Sequence, residues 1–328
     1  MTPSTVRNSI MTSAPIVGSS PRPPPTVELR GRGGLEESGT AQRADVSGSA
    51  PTVLRQAVPP PLRGLVAGIV GFDELAPPGG RSRVQPVGSF LVLEISFTSP
   101  LHVRALPAAA ETVHGAFLAG LMPGPVRTVF FDRHASVQVY LTPPGACRLL
   151  GVPGRETAGH VLPLADLVPR WGHDLPDRLA EAPGWSQRFA IVVDELVRLA
   201  GSGAPADALV EWTWSELQQT GGQARIADLA RRSGWSVRHV RARFDEVTGV
   251  PPKVAAQIIR FERLHAELGS RSLGALAARH GLSDQSHLTR EVRRFAGETP
   301  LALARARRPT AFTLLGTRPL PSPTSQTV

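Results

Sequence analysis

One seven-residue pattern occurs twice in the C-terminal third of the chain and constrains the fold more than any other feature. Ala230-Arg-Arg-Ser-Gly-Trp-Ser236 recurs 47 positions later as Ala277-Ala-Arg-His-Gly-Leu-Ser283. In each copy the glycine can adopt a positive φ at the end of one helix. The serine can accept a hydrogen bond from the first free N–H groups of the next helix. The repeat therefore predicts two helix-turn-helix units.

The helix after each turn has an apolar stripe and an opposite polar face, because apolar residues recur at three- and four-residue steps. The stripe of the first helix is Val237, Val240, Phe244 and Val247, and its opposite face carries Arg238, Arg241, Ala242 and Asp245. The stripe of the second is Leu288, Val292 and Phe295, and its opposite face carries Gln285, Ser286, Thr289, Arg290 and Arg293. Both helices therefore offer long polar donors to a partner.

Three segments resemble the DNA-binding domain of AraC/XylS-type transcription regulators, over roughly residues 222 to 307. They are Gly234-Trp-Ser-Val-Arg-His-Val-Arg-Ala-Arg-Phe244, Val250-Pro-Pro-Lys253 and Gly281-Leu-Ser-Asp-Gln-Ser-His-Leu-Thr-Arg290. In that family one long helix joins the two units. The resemblance implies that the segment from Pro252 to about Leu268 is this helix.

The resemblance also implies which side chains face DNA. Positions of the first recognition helix fall on Arg238, Arg241 and Ala242, and those of the second on Gln285, Ser286, Thr289 and Arg290. Arginine can donate two hydrogen bonds to guanine, and glutamine can pair with adenine. On an isolated helix the same arginines would more often be solvated surface residues.

Other side chains near these helices are assigned to structure rather than to DNA. We expect His287 to brace its helix or to contact a phosphate. Trp235, Phe244 and Phe295 are expected in the core, and Ser236 and Ser283 are expected to cap helices.

The charge distribution supports a nucleic-acid partner. From residue 221 to the end there are 18 Arg and Lys against 8 Asp and Glu, a net +10, whereas residues 1 to 220 carry a net −1. The net charge of +9 is thus a property of the C-terminal third, as expected for a domain that displaces counterions from phosphates.

Cysteine usage and hydropathy bear on the compartment. Cys147 is the single cysteine, so the chain cannot form an internal disulfide or a cysteine-rich zinc site. The sequence contains neither a run of about eighteen apolar residues nor a secretory signal pattern. We expect a cytoplasmic protein that does not contact a membrane.

The sequence predicts an α+β protein in four parts. Residues 1–60 and 308–328 are rich in Pro, Ser, Thr and Gly and are expected to be disordered. Residues 61–220 hold a β-rich regulatory domain and a helical connector, and 221–307 form the all-α domain with two helix-turn-helix units. The clearest strands are 88–97, 127–131 and 135–141, which suggest a barrel or sandwich. Connector helices are expected at 175–182 and 185–200, with a third opening at Pro205 and ending at Gln219.

The N-terminal region is similar to a domain carried by a subset of the same regulators. The similarity rests on the stretches 141–153, 161–167 and 179–189. It implies a domain that binds a small-molecule effector or forms a homodimer. Double-stranded DNA is the expected partner, with RNA polymerase a further partner if the protein activates transcription.

Alternative functions remain open on the sequence alone. Candidate catalytic groups are Asp132 with His134, His160 with Asp166, His173 with Asp174, and Cys147, but none lies in a nucleophile-elbow, zinc or phosphate-loop pattern. We therefore expect no enzyme, no metal and no cofactor. A non-specific or architectural DNA-binding protein, or an adaptor that binds protein, keeps the same fold.

Overall fold

The computed structural model describes residues 51–306 except 107–109, 204 and 206, and it omits the side chains of Arg170 and Trp171. The predicted disordered tail 308–328 and residues 1–50 of the predicted arm lie outside the described residues. The predicted end of that arm at residue 60 is wrong. Thr52–Gln56 forms strand β1, which pairs with the next strand over five residues and so belongs to the β-rich region.

The described residues of the β-rich region form two antiparallel sheets. The first has the strand order β1-β2-β9-β4-β7-β10, and the second has the order β3-β8-β5-β6. After β1, the strands are β2 Val66–Leu75, β3 Arg81–Gln85, β4 Leu91–Ser96, β5 Leu101–Ala105, β6 Thr112–His114, β7 Ala116–Ala119, β8 Val126–Phe130, β9 Arg133–Leu141 and β10 Val161–Pro163. The predicted β-rich architecture is confirmed, with each of the three predicted strands within three residues of its observed bounds.

Side chains of both sheets share a small apolar cluster. Leu101, Val103 and Phe130 of the second sheet pack with Phe117 of the first. The larger core lies on the other side of the first sheet. There Val137 and Val139 of β9 alternate inward, as strand geometry requires, and pack against a long connector helix.

Thirteen helices follow or interrupt the sheets in the described residues. They are α1 Pro143–Leu150, α2 Gly154–Thr157, α3 Leu164–Leu167, α4 Pro169–Gly172, α5 Leu175–Glu181, α6 Trp185–Ser202, α7 Ala208–Gln219, α8 Ile226–Ser233, α9 Val237–Thr248, α10 Pro252–Glu267, α11 Leu273–Arg279, α12 Gln285–Ala296 and α13 Pro300–Ala306. Within this described part, no helix combines the length and apolarity that crossing a membrane requires.

The connector helices are present, with one correction. Helix α7 begins at Ala208 rather than at Pro205, because the side chain of Asp207 accepts a hydrogen bond from the Val210 amide at 3.1 Å and caps the helix there. Trp214 and Leu217 of α7 are buried in the same core as Phe244. The predicted domain boundary at residue 221 therefore cuts off a helix that packs with the first helix-turn-helix unit.

Helix α10 joins the two units by being apolar on two faces. Ala255 and Ile259 pack with the core of the first unit. Ile258, Phe261 and Leu264 pack with the core of the second. The long connecting helix expected from the sequence is thus present within one residue of its predicted end, and it is shared between two cores.

The first turn has the geometry that the repeat predicts. Gly234 ends α8 with a φ of 73°, in the left-handed region where glycine is favoured. Ser236 caps α9 by accepting a hydrogen bond from the His239 amide at 3.2 Å.

The second turn differs by one residue from the prediction. Gly281 again has a positive φ, 68°, but the cap of α12 is Asp284 and not Ser283. Asp284 accepts from the His287 amide at 2.7 Å, while the Ser283 hydroxyl donates to the Asp284 carboxylate at 3.0 Å. A carboxylate at a helix N-terminus also interacts favourably with the helix dipole. The hydrogen bond from the His287 amide lowers the pKa of Asp284.

Replacing Phe244 by alanine should destabilise the first unit strongly. The side chain is 0% exposed and stacks on Trp214, with ring centroids 6.1 Å apart. We expect Phe244→Ala to lower the free energy of unfolding by about 3–5 kcal/mol, measured by chemical denaturation. Phe131→Ala is the matched control, because Phe131 is 46% exposed. Unchanged stability of Phe244→Ala would overturn the core assignment.

The corrected cap predicts different effects for two adjacent substitutions. We expect Asp284→Ala to lower the Tm of the full chain clearly more than Ser283→Ala, as thermal unfolding at pH 7 would show. Because the folded-state pKa of Asp284 is depressed, the stabilisation is present above its ordinary value of 3.8 and is lost as pH falls below it. A lower Tm for Ser283→Ala than for Asp284→Ala would show that Ser283 caps α12 instead.

Candidate nucleic-acid interface

The exposed faces of α9 and α12 carry the side chains that the sequence assigned to DNA. Six of the seven, Arg238, Arg241, Ala242, Gln285, Ser286 and Arg290, are exposed. The seventh, Thr289, is half-buried, and its hydroxyl donates to the carbonyl of Gln285 at 2.9 Å. Each helix therefore presents one polar face to solvent, although the Thr289 hydroxyl is already engaged with its own helix.

Helix α12 forms a shallow concave surface rather than a flat one. Its lining consists of Gln285, Ser286, Thr289, Arg290 and Arg293. Arg293 was placed on this face by its helical spacing but was not included among the DNA-facing residues. The signal for it was present in the sequence, because a residue three positions after Arg290 lies on the same helix face.

Arginines of the C-terminal helices differ in whether they form ion pairs with carboxylates of the same chain. Five form ion pairs within the chain: Arg231 with Asp228, Arg232 with Glu216, Arg243 with Asp207 and Glu246, Arg260 with Glu291, and Arg279 with Glu267. Four others, on the predicted DNA-facing sides, form no ion pair in the part of the chain that the structure describes: Arg238 and Arg241 on α9, and Arg290 and Arg293 on α12. The positive charge of the two recognition faces is therefore not neutralised by neighbouring carboxylates.

The expected burial of Trp235 is wrong. Its side chain is 53% exposed and stacks on His239, with ring centroids 4.2 Å apart and the planes at 17°. Trp235 lies in the turn between Gly234 and the cap Ser236, where helical periodicity does not determine direction. Phe244 and Phe295 are buried as expected.

His287 braces the start of α12, one of the two roles expected for it. Its Nδ1 lies 3.3 Å from the Ser283 hydroxyl, and its Nε2 lies 3.8 Å from Glu291 Oε2. Ser283 and Glu291 each lie four residues from His287, about one helical turn to either side. The two contacts hold the imidazole along the helix. Gln285 and Ser286 remain exposed to solvent.

Two of the groups considered for catalysis, His134 and Cys147, lie at least partly buried in the β-rich region and the helix that follows it. His134 is buried, with Nε2 3.2 Å from Glu94 Oε1 and Nδ1 3.0 Å from the carbonyl of Ser99. Burial opposes the charged imidazole, but the hydrogen bond to Glu94 leaves the pKa of His134 raised overall. Burial raises the pKa of the Cys147 thiol, which lowers its thiolate fraction and hence its reactivity. Over the described residues, no three His, Cys, Asp or Glu side chains are grouped so as to hold a metal ion.

Comparison with known proteins identifies a known type of domain in the C-terminal part of the chain. Residues 229–306 match a family model described as a helix-turn-helix domain. No curated protein matches the chain.

Three solved structures show distant similarity. One is the C-terminal domain of AraT, a response regulator from Geobacillus stearothermophilus, with 17% identity over 33% of this chain and 92% of that chain and a TM-score of 0.30. Another is ToxT from Vibrio cholerae, with 10% identity, coverage of 72% and 97%, and a TM-score of 0.41. A third is the AraC-like transcriptional activator CuxR, with 17% identity, coverage of 62% and 78%, and a TM-score of 0.26.

The family match begins within α8 and covers both turn glycines, the caps of α9 and α12, and the whole of these two recognition helices. The unpaired arginines lie within the same residues. The chain therefore carries a helix-turn-helix domain over residues 229–306, which supports DNA binding.

Proposed function

We propose that the protein is a sequence-specific transcription regulator in which α9 and α12 each read a major-groove segment of one DNA site. The observation that carries this proposal is the division of the arginines. Those on the recognition faces lack carboxylate partners, whereas the five named arginines around them are paired. An unpaired guanidinium can bind a phosphate or donate two hydrogen bonds to guanine.

The two helices differ in what they offer to bases. On α9, Arg238 and Arg241 are the long donors, and Ala242 can contact a thymine methyl group. On α12, Gln285 can pair with adenine, and Arg290 and Arg293 follow it along the concave face. Since Thr289 donates its hydroxyl to its own helix, only its methyl group and oxygen lone pairs are left for DNA.

The shared helix α10 supports reading of one long site. Because its two faces belong to the two cores, the units are held by one rigid element. Successive major-groove segments on one face of B-DNA are about 34 Å apart. A monomer with two recognition helices can then read an asymmetric site without a second subunit.

The β-rich region would regulate DNA binding by the C-terminal domain. It would bind a small-molecule effector or form a homodimer, and so change how the C-terminal domain binds DNA. RNA polymerase would be a further partner if the protein activates transcription. A DNA target places its action in the cytoplasm.

Base contacts predict altered sequence preference in two variants. We expect Gln285→Ala and Arg238→Ala to lose discrimination at different positions of the site, by about 1–3 kcal/mol per lost bidentate contact. The measurement is selection of bound sequences from random duplex DNA with the full chain. Arg231→Ala is the matched control, because Arg231 is exposed but already paired with Asp228 at 2.9 Å.

Three outcomes of that selection are distinguishable. A motif altered at separate positions by the two variants supports the proposal. Uniform weakening on every sequence would reassign both residues to backbone contacts. Failure of the unmodified chain to enrich any motif, with binding to all duplexes, would establish the architectural alternative.

Phosphate contacts predict a steep salt dependence. The logarithm of the affinity should fall linearly with the logarithm of salt concentration, and Arg293→Ala should reduce that slope by about one. Arg279→Ala is the control, because its guanidinium is 2.9 Å from Glu267. Titrations at several salt concentrations measure both slopes. An affinity for DNA that does not change with salt concentration would instead favour the alternative in which the protein is an adaptor that binds other proteins.

A further inference from the structure

The β-rich region contacts the first helix-turn-helix unit through two glycines. A Cβ atom on Gly154, at the start of α2, would lie 2.3 Å from the Val247 carbonyl oxygen. A Cβ atom on Gly249, which ends α9, would lie 2.2 Å from the Gly154 oxygen. Because neither position has room for a side chain, the two backbones pack directly against each other at the end of α9.

A separate segment of the β-rich region contacts the second unit. The Val87 amide donates to the carbonyl of Phe295, in the last turn of α12, at 2.9 Å. The Val87 side chain is buried in the core that contains Phe261 and Phe295. The β-rich region therefore touches both recognition helices near their C-terminal ends.

A buried polar cluster lies next to this second contact. Gln218 of α7 donates to the Ser89 hydroxyl at 3.1 Å, and Ser89 donates in turn to Glu262 Oε2. Ser89 precedes β4 and Glu262 lies on α10, so the cluster joins the β-rich region, the connector and the shared helix. We call Ser89, Gln218 and Glu262 the interdomain cluster.

Glu262 is unusual among the acidic residues because one of its oxygens is isolated. The residue is 2% exposed, and its Oε1 atom has neither solvent contact nor a hydrogen-bond partner within the described structure. A Cβ atom on Gly88 would lie 3.2 Å from Oε1, so the carboxyl group reaches almost to the backbone of the β-rich segment. An ionised carboxylate in this position is poorly solvated.

The charged and titratable groups around Glu262 do not supply a full counter-charge. The neighbouring Arg263 favours ionisation, but its guanidinium donates to the carbonyl of Gln218. The charge of Glu262 also acts on Tyr140 of β9, where burial together with the negative charges of Glu94 and Glu262 raises the pKa. Burial raises the pKa of Glu262 to about 7, against hydrogen bonds from the hydroxyl and the backbone amide of Ser89 and against the charge of Arg263.

We propose that Glu262 is a positioning residue that links proton binding to domain contact. With its proton, it holds the segment 87–89 against α10 and α12. Without its proton, the buried charge weakens this contact and frees the last turn of α12 from Val87. The first-unit contact through Gly154 and Gly249 is made by backbone atoms and does not include Glu262, so the protonation of Glu262 does not act on it directly.

The direction of the pH effect follows from linkage. When the contact opens, water reaches Glu262, and its pKa returns towards the ordinary value of 4.5. The stabilisation of the closed contact is then complete below pH 4.5 and is lost between that value and about pH 7. The equilibrium for closing should fall on the order of tenfold between pH 5.5 and pH 7.

Hydrogen exchange of the Val87 amide tests this inference directly, because that amide is bonded to Phe295 only while the contact is closed. We would compare the full unmodified chain with Glu262→Gln, which keeps the shape of the side chain but cannot ionise. At each pH the two proteins share the same intrinsic exchange chemistry at this amide. The ratio of their protection should change on the order of tenfold between pH 5.5 and pH 7.

Two further variants separate the role of Glu262 from general loss of stability. Glu291→Gln alters another buried carboxyl of the second unit, one that bonds Arg260 at 2.8 Å, and should leave the pH profile at Val87 unchanged. Ser89→Ala removes a hydrogen bond that lowers the pKa of Glu262, so the pH dependence at Val87 should persist but move to higher pH. The amide of Val137, in the sheet core, is the internal reference for global unfolding.

A constant protection ratio between the unmodified chain and Glu262→Gln across this range would overturn the inference. Should Glu262→Gln not fold, the unmodified chain decides by itself, since protection at Val87 must fall relative to Val137 as pH rises. Exchange is measured without DNA. Failure to bind DNA would therefore contradict the proposed function and not this inference.

Discussion

The packing of α10 between two cores is the constraint on which the C-terminal domain depends. Ile259 faces the core of the first unit, and Phe261 faces that of the second. A single 16-residue helix thus supplies apolar surface to both sides. The positions of α9 and α12 follow from it, because each packs its apolar stripe on one face of α10 and leaves its polar face to solvent.

Electrostatics then decides which exposed side chains are available to a partner. Surface arginines are numerous, but an arginine beside a carboxylate already has its hydrogen-bond donors engaged. Arg243 is held by Asp207 at 2.7 Å, whereas Arg241, two residues earlier, points from the opposite side of α9 and has no such partner in the described structure. The helical period therefore places the paired Arg243 and the unpaired Arg241 on different sides of α9.

The turn glycines, the two apolar stripes and the length of α10 could all be predicted from the sequence, because each depends on local backbone preference or on helical period. The exposed polar faces of α9 and α12 could be predicted for the same reason, and helical spacing also placed Arg293 on the face of α12. Two assignments failed where local rules did not suffice. Asp284 displaced Ser283 as a cap, since two neighbouring oxygen-bearing side chains compete for the same amides, and Trp235 lies in a turn where no period sets its direction.

The sequence by itself determined the two helix-turn-helix units and the polar faces that they present, because these features arise from residues three to seven positions apart. Only the tertiary structure decided which arginines are paired, since Arg232 meets Glu216 and Arg260 meets Glu291 across different helices. It alone also brought Ser89 to Glu262, 173 positions away. Contacts over such separations depend on how sheets and helices pack, and that packing has no local signature in the chain.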